Sequence, residues 1–216
     1  TLALVSPTIR GADEIEYFSH LRSAVFDRDL DFTNEYEHFY RANPRGLQAF
    51  KSTFLDRREP LTNRPLNFAP IGSAVVWLPF YMAAHALVTY GVLDGPADGF
   101  SAPYTAAVAY GSAFLAILGF LVAFRALRRY LGVTDGLALI SVLAVWFGTP
   151  ALYYMTVAPA FAHAPSIFAV SLVFLFWLRA RERDGVFDWI LMGLAVGLAM
   201  LVREQAALFL IAPALD

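Results

Sequence analysis

The chain has 216 residues, 58% of them hydrophobic, and a mean hydropathy of +0.55; a soluble domain is apolar at only about half its positions, so this is the composition of a protein embedded in a lipid bilayer. It contains no cysteine, which excludes a disulfide framework and a thiolate metal site, and its net charge of -2 offers no basic surface for a nucleic-acid partner. Charge is also unevenly placed: residues 1–70 carry ten acids and nine bases, whereas residues 71–178 carry six charges in all, so a polar head precedes a lipid-embedded body.

In chain order, TLALVSP (1–7) reads as the tail of a first transmembrane helix, and the apolar run LFLIAPAL (208–215) is too short to cross about 30 Å of hydrocarbon. We therefore expect a piece of a longer protein. No basic n-region marks a signal peptide. In DEIEYFSHLRSAVF (13–26), Ile15, Phe18, Leu21 and Val25 recur at helical spacing and predict a short surface helix. Asp13 and Glu14 fall in its first turn, where they complement the positive end of the helix dipole. DRDLDFTNEYEHFYRANPRG (27–46) reads as a polar loop, and NRPLNFAPIG (63–72) as an extended, proline-punctuated lead into the next apolar segment. Residues 1–69 are thus the end of a truncated transmembrane helix plus a loop with a juxtamembrane helix.

Residues 70–93 are long enough to cross, yet they hold Pro79 centrally and also His85. They either span or lie as a juxtamembrane or re-entrant apolar helix held by protein at membrane depth, and that choice sets the side on which the head lies. Residues 94–216 hold transmembrane helices at about 103–124, 136–155, 164–180 and 186–202, with a truncated one at 205–216. The second is expected to break near Gly148 and Pro150. Gly193 and Gly197, four apart, predict a close helix–helix approach. Arg125, Arg128 and Arg129 follow one span and Arg179, Arg181 and Arg183 another; basic short loops stay cytoplasmic, which puts 125–135 and 179–185 inside and 150–163 and 203–205 outside.

Several side chains invite a functional reading beside a plain one. Asp13 and Glu14 are explained by helix capping, or by a general base at the mouth of a membrane cavity, or by oxygen ligation of a divalent cation. His163 is either a structural group at the membrane boundary or a donor to a lipid phosphate or a proton relay. Arg203 either snorkels to the interface or clamps a phosphate with its planar fork of donors. Arg64 and His20 sit in polar loop and helix-surface contexts. No Gly-rich phosphate loop or dinucleotide fingerprint is present.

DEIEY with Asp13, Glu14 and Tyr17, DRDLDF at 27–32, NFAPIG and WLPFY within 67–81, and GLAVGLAMLVREQ at 193–205 together resemble the GT-C glycosyltransferases. The likeness is to the protein O-mannosyltransferase, lipid A aminoarabinose transferase and RgtA/B/C/D-like bacterial membrane proteins. The resemblance implies an all-α polytopic membrane protein: a GT-C transmembrane helix bundle whose extracytoplasmic first loop carries juxtamembrane helices. It implies a multi-pass enzyme of the plasma (inner) membrane, acting in the cell envelope, with its catalytic loop facing the periplasm or exterior. Its sugar would come from a polyprenyl-phosphate carrier and pass to a glycolipid, a polysaccharide or a protein. Carried onto this chain, it makes Asp13 the general base with Glu14 beside it. Tyr17, Arg64, His163 and Arg203 are then expected to bind substrate. Relatives often place a further acid in the second external loop, but MTVAPAFAHAPSIF (155–168) has none, so the metal ligands are left unassigned and a divalent cation stays open as a cofactor. The alternative from composition alone is a transporter or flippase for a lipid-linked substrate.

Overall fold

A computed structural model describes residues 4–216 of the chain, and among them every regular element is helical. The protein is an all-α membrane protein. Its described residues divide into two compact units, Pro7–Val108 and a second comprising residues 4–6 with Ala109–Asp216.

The first unit is built on α1 (Ala12–Arg22). Glu14, the third residue of the helix, reaches back so that its Oε2 accepts from the N–H groups of Arg10 and Gly11, both at 2.8 Å, which pairs donors that a helix start leaves orphaned. At the other end the helix widens into a π-type turn over Ser23–Asp27. Arg28, at φ 59, ends it by donating its N–H to the Ser23 carbonyl at 2.7 Å. Ile15, Phe18 and Leu21 are buried, one turn apart as the apolar spacing predicts.

The segment expected as a polar loop instead contains α2 (Thr33–Ala42). Its charges mask an apolar stripe: Tyr36, Phe39 and Tyr40 lie three and four apart on the face turned to Ile15, Phe32 and Phe50. The short α3 (Gln48–Phe50) and the π-turn Lys51–Leu55 close this cluster, and the Tyr36 hydroxyl donates to the Leu66 carbonyl at 2.9 Å.

α4 (Gly72–Thr89) runs unbroken through Pro79. Ala74, Trp77, Tyr81, Ala84 and Val88 form its buried face, whereas Val75, Leu78, Met82 and Leu87 are exposed, an apolar outer face suited to lipid. His85 Nδ1 lies 2.7 Å from the Tyr104 hydroxyl, at the start of α5 (Ala102–Tyr130).

In the second unit α5 continues, followed by α6 (Asp135–Gly148), α7 (Ala151–Thr156), α8 (His163–Arg183), α9 (Val186–Val202), a 3-10 segment Glu204–Leu210 and α10 (Ile211–Ala214). Helices α4, α5 and α8 are long and apolar enough to cross a membrane, while α6 and α9, with 14 and 17 residues, are shorter. The separation of α6 from α7 follows from proline. Thr149, at φ -127 and ψ 172, is held extended by the ring of Pro150, which then starts the next helix. The tail of a helix expected over residues 1–7 falls in part, at 1–3, outside the described residues; Leu4 and Val5 form a bend, and Val5 packs against Ala109 and Ala113.

Only Asp184 and Gly185 separate α8 from α9, so the two run antiparallel as a hairpin. Arg179 and the buried Asp188 pair across its closed end at 2.5 Å. The close approach expected at Gly193 and Gly197 does not occur there: both are exposed, and a Cβ on either would meet nothing within 4 Å. Ala195 and Ala199, the next small residues at the same spacing, are the buried ones. A glycine that does admit a neighbouring helix is Gly119 of α5, where a Cβ would come within 2.8 Å of the Phe168 backbone of α8.

Candidate functional site

In the second unit, one end of the α8–α9 hairpin gathers the groups able to handle an anion. His163 is the first residue of α8, and Arg203 directly follows α9. Antiparallel packing therefore brings together two residues 40 positions apart. Arg203 breaks from the helix into an extended conformation at φ -151 and ψ 121, while its own N–H still donates to the Ala199 carbonyl at 2.9 Å. Its Nη1 donates to the His163 ring, touching Nδ1 and lying 3.0 Å from Nε2. The imidazole is half-buried and stacked on Tyr154 of α7, with ring centroids 3.7 Å apart at 17°.

Among the described residues Arg203 has no carboxylate partner; Glu204, its neighbour in sequence, is exposed and makes no ion pair with it. A half-buried guanidinium held by a ring nitrogen keeps its positive charge and several free donors, so this end of the hairpin is suited to an anion. A groove of about 520 Å³ opens between α5, α6 and α8. Its wall includes Thr149, Ala151, Ser166 and Ile167, the last two about one turn along α8 from His163, and continues to Leu127. The lining is almost wholly apolar.

The first unit holds the other expected residues. Asp13 is exposed in the first turn of α1. Glu14 is buried, occupied by the cap through one oxygen, and its other carboxylate oxygen has no hydrogen-bond partner among the described residues. Burial raises its pKa above the usual carboxylate range, against the pull of the Gly11 and Arg10 N–H groups. Tyr17 meets Trp77 edge to face at 6.4 Å. Arg64 is exposed in a tight loop, its carbonyl accepting from the Glu59 N–H at 2.9 Å. Asp13 is open to its surroundings, whereas the Glu14 carboxylate turns back into the cap. Among the described residues no group of three or more His, Asp or Glu side chains converges on a point.

Two carboxyls that composition did not single out prove to be unusual. Glu16 is 5% exposed; its Oε1 accepts from the Phe68 N–H at 2.7 Å and its backbone carbonyl from Asn67 Nδ2 at 3.0 Å. With His20 Nε2 lying 2.8 Å from the Ala69 carbonyl, it straps the segment before α4 onto α1. Glu35 is fully buried and bonded to Arg22 at 2.9 Å, and Arg22 in turn lies over the Phe100 ring. Burial pushes both carboxyls up to about 7.

For Glu16 this has a consequence for stability. The folded state holds the proton more tightly than the unfolded chain, so its contribution is fully present below pH 4.5 and is lost as pH rises through about 7. Raising the pH across this window is expected to destabilise the first unit by up to roughly 3 kcal/mol, and Glu16→Gln is expected to flatten the dependence. Thermal unfolding in detergent between pH 5 and 8 reads both.

Sequence reasoning missed Tyr154 because GTPALYYMT offers an aromatic run with no mark of the ring that one of its members stacks on. No curated protein and no solved structure shows similarity to the chain. Residues 101–215, which include α5 through α10 and so both His163 and Arg203, match the family described as dolichyl-phosphate-mannose-protein mannosyltransferase. That match takes in more than half of the chain and the whole of the groove, and the chain belongs to this family of GT-C membrane glycosyltransferases.

Proposed function

We propose that the protein transfers a sugar from a polyprenyl-phosphate carrier to an extracytoplasmic acceptor, which is a glycolipid, a polysaccharide or a protein. The observation that carries this reading is Arg203, which among the described residues has no carboxylate partner and is held by His163, a turn of α8 from Ser166 and Ile167 in the wall of an apolar groove. Such an arrangement suits a ligand with a phosphate at one end and a long hydrocarbon at the other. The phosphate would lie on the guanidinium and near the first free N–H groups of α8, where the helix dipole also favours an anion. The isoprenoid chain would follow the groove toward Leu127.

In the reaction, an acceptor hydroxyl or amine attacks the anomeric carbon from the face opposite the phosphate, so the configuration inverts. The bond between that carbon and the phosphate oxygen breaks, and the electron pair leaves with polyprenyl phosphate. The acceptor's proton is assigned to Asp13 of the first unit on the resemblance of DEIEY to the GT-C enzymes, with Glu14 holding the turn that presents it. Arg203 meets the charge that grows on the departing phosphate, the kind of interaction that accelerates a reaction because it strengthens in the transition state. Tyr17 and Arg64 are assigned to substrate binding in the first unit.

Orientation is supported by charge. Arg125, Arg128 and Arg129 end α5, and Arg179, Arg181 and Arg183 end α8. Arg129 pairs with Glu182 at 2.8 Å, so the two arginine-bearing ends meet. His163 begins α8, 21 residues or about 30 Å from that end. Basic termini favour the cytoplasmic side, which supports an outer-side location for His163 and Arg203 and is consistent with the plasma membrane of a bacterial envelope.

The direct test takes the full-length protein in nanodiscs with a panel of polyprenyl-phosphate sugars and membrane-extracted acceptors. Glycosylated acceptor and free polyprenyl phosphate are expected in equal amounts from at least one donor. Movement of a lipid-linked sugar between leaflets without any transfer would instead support a flippase.

A further inference from the structure

The opposite end of the second unit, far from His163, carries a separate arrangement. Between α5 and α8 lies a second apolar channel, of about 360 Å³, walled by Ala126, Leu127, Phe174 and Trp177. It ends at Leu131, Leu178 and Arg181. The same three residues border a polar pocket of about 400 Å³ that also holds Arg129, Tyr130 and Glu182. Around α5, Arg125, Arg128 and Arg129 with Phe124 line a further hollow of about 420 Å³.

We propose that this channel and its arginine mouth bind one anionic glycerophospholipid of the inner leaflet, an acyl chain lying along Phe174 and Trp177 and the phosphate meeting Arg129 and Arg181. The argument is the joining of two chemistries in one continuous space. A peptide or a second helix would match the apolar channel but not a mouth crowded with guanidiniums. A soluble anion would match the mouth and leave the channel bare. Charge favours an anion: Arg125, Arg128, Arg129 and Arg181 face three carboxylates, Asp135 on Arg128, Glu182 on Arg129 and Asp216 on Arg181. Among the described residues Arg125 has no ion pair, and each paired arginine makes a single contact that leaves further donors for phosphate oxygens. Basic pockets between membrane helices at the cytoplasmic face recognise anionic head groups on these grounds.

The channel shares Ala123, Leu127 and Ser171 with the groove that starts near His163, so a long isoprenoid tail is the competitor to be separated. The test is native mass spectrometry of the full-length protein, delipidated and titrated with phosphatidylglycerol, phosphatidylcholine, inorganic phosphate or polyprenyl phosphate. Wild type is expected to prefer phosphatidylglycerol over phosphatidylcholine, and R129Q/R181Q to lower that preference by roughly 30-fold, two guanidiniums near an anionic surface being removed. Should the double variant fail to fold, Arg125→Gln, which breaks no ion pair, is expected to lower it several-fold. Equal retention of both lipids, an unchanged preference in the variants, or full displacement by inorganic phosphate or by polyprenyl phosphate would overturn the proposal. Sugar transfer is not the readout, so the site stands or falls independently of the reaction at His163.

Discussion

Arg203→Ala is expected to lower sugar transfer by about 10²- to 10³-fold, the loss typical when one donor aimed at a developing negative charge is removed. The size follows from the surroundings. No carboxylate shares the guanidinium among the described residues, so its charge is not already neutralised. The His163 ring fixes Nη1, so the donors are positioned before substrate arrives. Arg203→Lys retains the charge but loses the planar fork, and it is expected to recover part of the rate. If the arginine acts on the leaving phosphate, the loss appears in kcat. If it only binds the carrier in the ground state, KM rises and kcat stays. Removing it strands no buried counter-charge, so the folded yield and unfolding temperature of the alanine variant should match wild type. His163→Ala is expected to fall between wild type and Arg203→Ala, since it frees the guanidinium without deleting it.

The helical body was largely legible in the sequence because lipid imposes a simple code: long apolar runs, interrupted at Pro150 and ended by arginines, become helices that stop where those marks fall. His163 and Arg203 were also legible, as ionisable groups at the ends of apolar runs. Their contact was not, because it depends on the hairpin turn at Asp184 and Gly185 setting the register of α8 against α9. The glycine signal failed for a related reason. A pair spaced by four marks a face of a helix but not which face meets a neighbour, and in α9 that face carries Ala195 and Ala199. In the head, α2 was hidden because Glu35, Glu37, His38 and Arg41 outweigh Tyr36 and Phe39 when polarity is averaged rather than read by face. Glu16 escaped notice in DEIEY for the opposite reason: its neighbours Asp13 and Glu14 drew the chemical reading, and only the strap from Asn67 to Ala69 shows it to be buried as Glu14 is, which leaves Asp13 the one exposed acid of the three.

That distinction sets the second large effect. Asp13→Asn is expected to lower transfer by about 10²- to 10⁴-fold, the usual contribution of a positioned general base, and to leave stability unchanged. Asp13 is exposed and holds no cap, so the amide removes the proton acceptor and nothing structural. Glu14→Ala is expected to behave differently. It deletes the acceptor for two backbone N–H groups at the helix start, which costs about 1 kcal/mol of stability, and it lowers transfer only as far as the first turn of α1 loosens and Asp13 loses its place. Measuring transfer and unfolding temperature on the same three proteins separates the roles. A rate lost without stability marks Asp13 as the base, whereas both lost together mark a scaffold. If Asp13→Asn transfers sugar as fast as wild type, the base is elsewhere. Glu16 is then the carboxyl to examine, because it lies one turn further along α1 and its burial holds a proton to about pH 7. A rate that rises through that pH in wild type and loses the rise in Glu16→Gln would transfer the assignment to it.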